Sequence, residues 1–111
     1  MERRNVLNQI ILVGRVVEVP QIKETSNGIK YTSLVLDVTR GYKNAEGDYD
    51  SDLIACTLWR GVAEQCIDSC KEGTLVGVKG RLQANVFTNA DGKSYTNYEV
   101  VCEKFSYLSV N

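Results

Sequence analysis

At 111 residues the chain has the length of one domain, with room for a real though modest core. It is 43% hydrophobic, has no apolar run of about 18 residues, and shows no signal-peptide h-region after its charged first residues; this excludes a membrane-spanning helix and argues for a cytoplasmic protein. A net charge of −1 removes bulk positive charge as a reason to bind nucleic acid, so any such reading rests on how the charges are distributed.

Residues 1–7 read as a flexible N-terminal arm. Asn8 to Val17 is the first strand. Its apolar run is nearly continuous, which implies burial on both faces, the second face against another subunit. Gly14 in mid-strand marks a bulge or a close backbone approach. Glu18 to Gly28 is a polar loop that holds Pro20 and the turn pair Asn27-Gly28. Lys30 to Arg40 alternates, with Leu34, Leu36 and Val38 on one face, and forms the second strand. Gly41 to Asp52 has no periodicity and reads as a long polar loop carrying Tyr42 and Tyr49.

Leu53 to Trp59 is the third strand. Val62, Ala63, Cys66, Ile67 and Cys70 then share one face of a short helix, and Gly73 is placed to stop it. Thr74 to Gln83 and Ala84 to Thr88 are extended. Asp91-Gly92 signals a hairpin into Lys93 to Cys102, long enough to project beyond a barrel, and Phe105 to Val110 is a last extended piece. Residues 1–111 therefore form a single domain. Five strands with one helix between the third and fourth predict an all-β OB-fold, a five-stranded Greek-key barrel that binds oligonucleotides or oligosaccharides.

The chain has no histidine, which excludes Ser-His and Cys-His catalysis and His-bound metals; no catalytic residue is assigned. Cys56, Cys66, Cys70 and Cys102 form no C-x-x-C pair and fall at core positions, so they read as buried thiols and not as a metal site. Asp48, Asp50 and Asp52 alternate like a calcium loop, but Leu53 stands where that loop needs glycine and Trp59 where it needs glutamate. Gly73, Gly77 and Gly80 surround a strand and open no helix, so they do not form a phosphate loop. No metal or cofactor is implied.

What remains is a set of aromatics beside basic residues: Tyr42 near Arg40 and Lys43, Trp59, and Phe87 at the hairpin, with Arg15, Lys79 and Arg81 elsewhere. Flat aromatic faces stack bases while Lys and Arg meet phosphates. Each also has a packing alternative. Trp59 could plug the barrel end, Phe87 could pack across its hairpin, and the cations could merely solvate the sheet.

Asn8 to Gly14 with Arg15 and Pro20, Cys56 to Arg60 leading into Ala63-Glu64, Lys71 to Leu82, and Tyr98 with Val100 together resemble bacterial single-stranded DNA-binding proteins. The resemblance runs from about residue 5 to 108. It implies a non-enzymatic homotetramer, with first strands pairing between subunits, that coats and protects single-stranded DNA in replication, recombination or repair. It places base stacking on Tyr42, Trp59 and Phe87, and a further stacking position on Leu53, which is not aromatic here. Arg15, Arg40, Lys43, Lys79 and Arg81 are the expected phosphate contacts. The resemblance also implies a long acidic tail that recruits replication proteins, whereas this sequence stops at Asn111; a short, tail-poor form is expected. The competing expectation is an adaptor like the primosomal OB-fold proteins, usually a dimer, whose main ligand is another protein.

Overall fold

A computed structural model describes residues 6–109. Residues 1–5 of the expected arm lie outside the described residues, as does Val110; Val6 and Leu7 are exposed. The elements are β1 (Ile10–Val16), β2 (Lys23–Glu24), β3 (Lys30–Lys43), β4 (Tyr49–Trp59), α1 (Arg60–Ser69), β5 (Leu75–Thr88) and β6 (Ser94–Ser109). The two-residue β2 is an addition to the expected order, so the helix falls between β4 and β5.

The sheet runs β1-β5-β6-β4-β3-β2 and closes on itself through β1 and β3. Two long antiparallel hairpins, β3–β4 and β5–β6, carry most of the pairing. The barrel closes along two narrow seams, one between the hairpins and one between β1, which is paired along β5, and β3. One is parallel, Cys56 beside Val100 and Thr57 beside Val101. The other is antiparallel, Arg15 beside Asp37 and Val16 beside Leu36. Asn8 extends the β1–β5 ladder by side chain, donating to the Leu82 carbonyl at 2.7 Å and accepting from the Leu82 N–H at 2.9 Å.

Alternation sets the register. Thr32, Leu34 and Leu36 on β3 and Cys56 and Leu58 on β4 point inward and are fully buried. Each buried leucine stabilises the fold by about 1.5–3 kcal/mol relative to an exposed one, and a one-residue slip would turn the whole row to water. Ala63, Cys66 and Cys70 on α1 join the same core as Val76, Val78 and Phe105.

β1 is less covered than its sequence predicts. Val16 is buried, but Ile11 is 66% exposed and Val13 50%. Both point out of the barrel, where one chain alone offers nothing to cover them. Gly14 is a close approach: a Cβ there would stand 2.6 Å from the Asp37 carbonyl oxygen, because β1 crosses β3 at this point. At Gly80 the crowding is tighter. A Cβ would overlap the Val101 carbonyl, beside an irregularity in which Glu103 lies unpaired between Cys102 and Lys104.

Three expectations change. The predicted loop 41–52 is mostly the end of one long hairpin, whose connection narrows to residues 44–48. Asn44 holds that turn, its side-chain oxygen accepting from the N–H groups of Glu46 and Asp48. β6 runs unbroken from Ser94 to Ser109, since the unpaired Glu103 and Leu108 bend the strand without ending it. Gly73 is not the helix stop. The chain is already extended at Cys70, and Gly73 supplies a positive φ of 85° to the next turn, closed by Thr74 N–H to the Lys71 carbonyl at 3.1 Å.

Candidate nucleic-acid interface

The outer face of β3–β4 carries an aromatic pair on a continuous outward row. Leu53, Ala55, Thr57 and Trp59 alternate outward on β4, opposite Asp37, Val35, Ser33 and Tyr31 on β3. Trp59 is 36% exposed and leans on Tyr31, ring centroids 5.0 Å apart and planes tilted by 33°. It does not plug the barrel. Arg60 turns the chain directly from β4 into α1 with a φ of 55°, unusual for a residue with a Cβ, and this sharp exit leaves Trp59 on the outside. Leu53, 67% exposed, lies on the same row, so the outer face continues along β4 without an aromatic at that point.

Tyr42 sits near the far end of the same hairpin, 66% exposed. At about 3.3 Å per residue it stands some 35 Å along β3 from Tyr31. Phe87 is near the tip of the other hairpin, 45% exposed and stacked on Tyr95 at 5.7 Å. The three predicted aromatics therefore do not converge on one pocket. They mark the base of one hairpin and the outer ends of both.

The predicted cations are more scattered. Arg40 forks onto Asp52, Nε to Oδ2 at 3.1 Å and a second nitrogen to Oδ1 at 2.9 Å, with Asp50 at 3.9 Å. That fork holds the Asp52 carboxyl below its ordinary range and raises the Arg40 guanidinium above its own. Arg81 lies 3.9 Å from Glu103. Arg15 donates to the Gly73 carbonyl at 2.9 Å. Lys43 stands 5.9 Å over the Tyr49 ring. Lys79 is on the outside of β5, between Ile11 of β1 and Lys104 of β6, away from Trp59.

Tyr31 and Tyr95 were missed by sequence reasoning, and Tyr49 was placed in the loop with Tyr42 but given no role. Pairing symmetric about the Asn89–Lys93 turn puts Phe87 against Tyr95, which the Asp91-Gly92 signal could have found, whereas Tyr31 meets Trp59 only through the register shift between Thr39 and Lys43, which the turn does not reveal.

The four cysteines are buried and unlinked. Burial pushes the Cys56 thiol up to about 12 and Cys102 to about 11. Cys66 and Cys70 touch, Sγ to Sγ 3.4 Å, and that hydrogen bond together with burial raises Cys66. Among the described residues no group of three or more His, Cys, Asp or Glu side chains is placed to hold a metal ion, and no helix is long and apolar enough to cross a membrane.

A closed five-strand barrel, one helix between its third and fourth long strands, and an outward aromatic face define an OB-fold binding module. The chain belongs to the single-strand binding protein family, whose model matches residues 7–108. It is 38% identical to the single-stranded DNA-binding protein B of Bacillus subtilis over 91% of this chain and 89% of that protein. It is 37% identical to the single-stranded DNA-binding proteins of Enterococcus faecalis and Bacillus cereus over 92% of this chain, spanning 54% and 60% of their lengths.

Proposed function

We propose that this protein binds single-stranded DNA with little sequence preference and shields it during replication, recombination or repair. The observation that carries this is the Tyr31–Trp59 pair on the outer face of an OB barrel, in a chain belonging to the single-strand binding family. Three relatives are themselves named single-stranded DNA-binding proteins. Trp59, Tyr42 and Phe87 stack bases. Arg15, Lys43, Lys79 and Arg81 meet phosphates, and Arg40 does so on exchanging its fork with Asp52 for a phosphodiester. The action is binding and not catalysis.

The assembly is a homotetramer in which the outer face of β1 and β5 is covered by other copies. Exposed Ile11, Val13 and Leu108 support this, grouped around Gly77, as does the near-continuous apolar run of β1. The location is the cytoplasm.

The test is titration of Trp59 fluorescence with oligo-dT at low and high salt. Trp59 is the sole tryptophan, so the signal has one source. Quenching at low salt that added salt reverses is expected. Unchanged fluorescence, with no binding by anisotropy of a labelled oligonucleotide, would refute the reading and leave the protein-binding adaptor.

A further inference from the structure

We propose that Asp52 is an internal competitor for strand phosphate. It fills the fork of Arg40 in the free protein, so the β3–β4 arm acquires that cation only when a phosphodiester displaces the carboxylate. The proposal rests on the single-strand binding reading and gives a role in it to a residue that touches no part of the strand.

The geometry of the pair is the first argument. Arg40 Nε donates to Asp52 Oδ2 at 3.1 Å, and Nη2 donates to Oδ1 at 2.9 Å. A phosphodiester offers two oxygens of its own and accepts from the same edge of a guanidinium in the same way. Carboxylate and phosphate are therefore rivals for one edge of one cation. Both side chains stand in water, Arg40 40% and Asp52 46% exposed, so the fork is open to a phosphate arriving from solvent.

The surroundings are the second argument. Residues 40–52 carry two cations, Arg40 and Lys43, against four carboxylates, Glu46, Asp48, Asp50 and Asp52. Asp50 stands 3.9 Å from Nη1, the guanidinium nitrogen outside the fork. With Arg40 engaged by acids, the arm that presents Tyr42 meets a polyanion with net negative charge. Bracing the hairpin is not what the pair is needed for. The β3–β4 register slips between Thr39 and Lys43, but that stretch is closed at both ends. The Thr39 and Ser51 hydroxyls lie 3.4 Å apart on one side. On the other, Asn44 donates its N–H to the Asp48 carbonyl at 2.7 Å and its side-chain amide to Asp50 at 3.1 Å. An exposed ion pair adds little stability of its own.

Counterions make the exchange visible. A free cation that neutralises one phosphate of a single strand adds about −0.7 to the slope of log affinity against log salt. Arg40 in its fork is already neutralised. When phosphate takes it, the carboxylate left behind gathers a cation from solution as the phosphate sheds one. The exchange is therefore nearly salt-neutral in wild type. In Asp52→Asn the guanidinium starts free, and the same contact carries its full salt dependence.

The experiment measures anisotropy of labelled oligo-dT of about sixteen nucleotides over a series of salt concentrations. It compares wild type, Asp52→Asn, Arg40→Gln, the double variant and Asp68→Asn. Asp68 is exposed on α1 and controls for the loss of one negative charge away from the arm. Asp52→Asn is expected to bind about two- to fivefold more tightly than wild type at low salt, with a slope steeper by about 0.7. Adding Asp52→Asn to Arg40→Gln should leave the slope of Arg40→Gln unchanged, and Asp68→Asn should keep the wild-type slope. Weaker binding by Asp52→Asn would mean that the fork holds the arm in shape, and would overturn the proposal. So would a wild-type slope in Asp52→Asn, a steepening that persists without Arg40, or one that Asp68→Asn reproduces. Each of these leaves single-strand binding in place. Failure of wild type to bind oligo-dT would overturn both.

Discussion

Replacing Trp59 with alanine is the sharpest test of how this surface works. Trp59 is 36% exposed, and one side of its ring is occupied by Tyr31 at 5.0 Å. The uncovered side has room for one base. Losing one base–aromatic stack costs about 1–3 kcal/mol, which weakens binding about 5- to 150-fold. The truncation also ends the Tyr31 contact, a loss to the fold of about 0.5–1.5 kcal/mol beyond buried area. Affinity is therefore measured well below the unfolding transition, by anisotropy of labelled oligo-dT over a series of salt concentrations. Trp59→Ala removes no cation, so the slope of log affinity against log salt should match wild type while the whole line drops. Trp59→Phe should recover part of the loss. An affinity within about twofold of wild type, or a drop caused by a changed slope, would refute the stacking role.

Other outcomes follow from the packing. Gly80→Ala forces a methyl into the Val101 carbonyl and should destabilise the fold by about 3 kcal/mol or more, seen as a lower denaturant midpoint; an unchanged midpoint would mean the strand yields there. Ile11→Asp puts a charge on the exposed apolar side of β1, and sedimentation should show smaller species than wild type; an unchanged oligomer would place the interface elsewhere. Cys56 and Cys102 have folded-state values raised above their ordinary 9.0, so their preference for the folded state is intact below pH 9 and is lost as pH rises toward 12. Stability should fall over that alkaline range, and less so in Cys56→Ala relative to its own neutral value; a flat profile would contradict the burial argument.

Much of the barrel was legible because its strands alternate or run apolar. Leu34 and Leu36 could be placed on one face from spacing alone, and the helix face of Ala63, Cys66 and Cys70 likewise. The 41–52 segment was not legible, because a hairpin arm standing clear of the core has no buried row to impress a period on it: Tyr42, Tyr49, Asp50 and Ser51 are all exposed. The aromatic positions were found as single residues, but their partners depend on register. Tyr31 and Trp59 are far apart in sequence and meet only through the β3–β4 pairing. The cations were the least legible. Nothing near Arg40 in sequence shows that Asp52 returns on the neighbouring strand to neutralise it, or that Glu103, set apart by a bulge, approaches Arg81.

The two narrow seams have a consequence for the order of folding. Each hairpin is local, closed by its own turn at Asn44–Asp48 or Asn89–Lys93, while the seams join segments far apart in the chain through two residue pairs each. Local hairpins form on the microsecond scale, and long-range closure is slower because chain entropy is lost before contacts accumulate. We expect the hairpins to zip first and the ring to shut last. Pulsed hydrogen exchange would show Leu34 and Val86 amides protected before those of Val17, which donates to the Val35 carbonyl across the β1–β3 seam, and Thr57; the reverse order would mean that the ring nucleates the arms. Unfolding retraces this path, so the seams set how often the barrel opens while both arms stay intact.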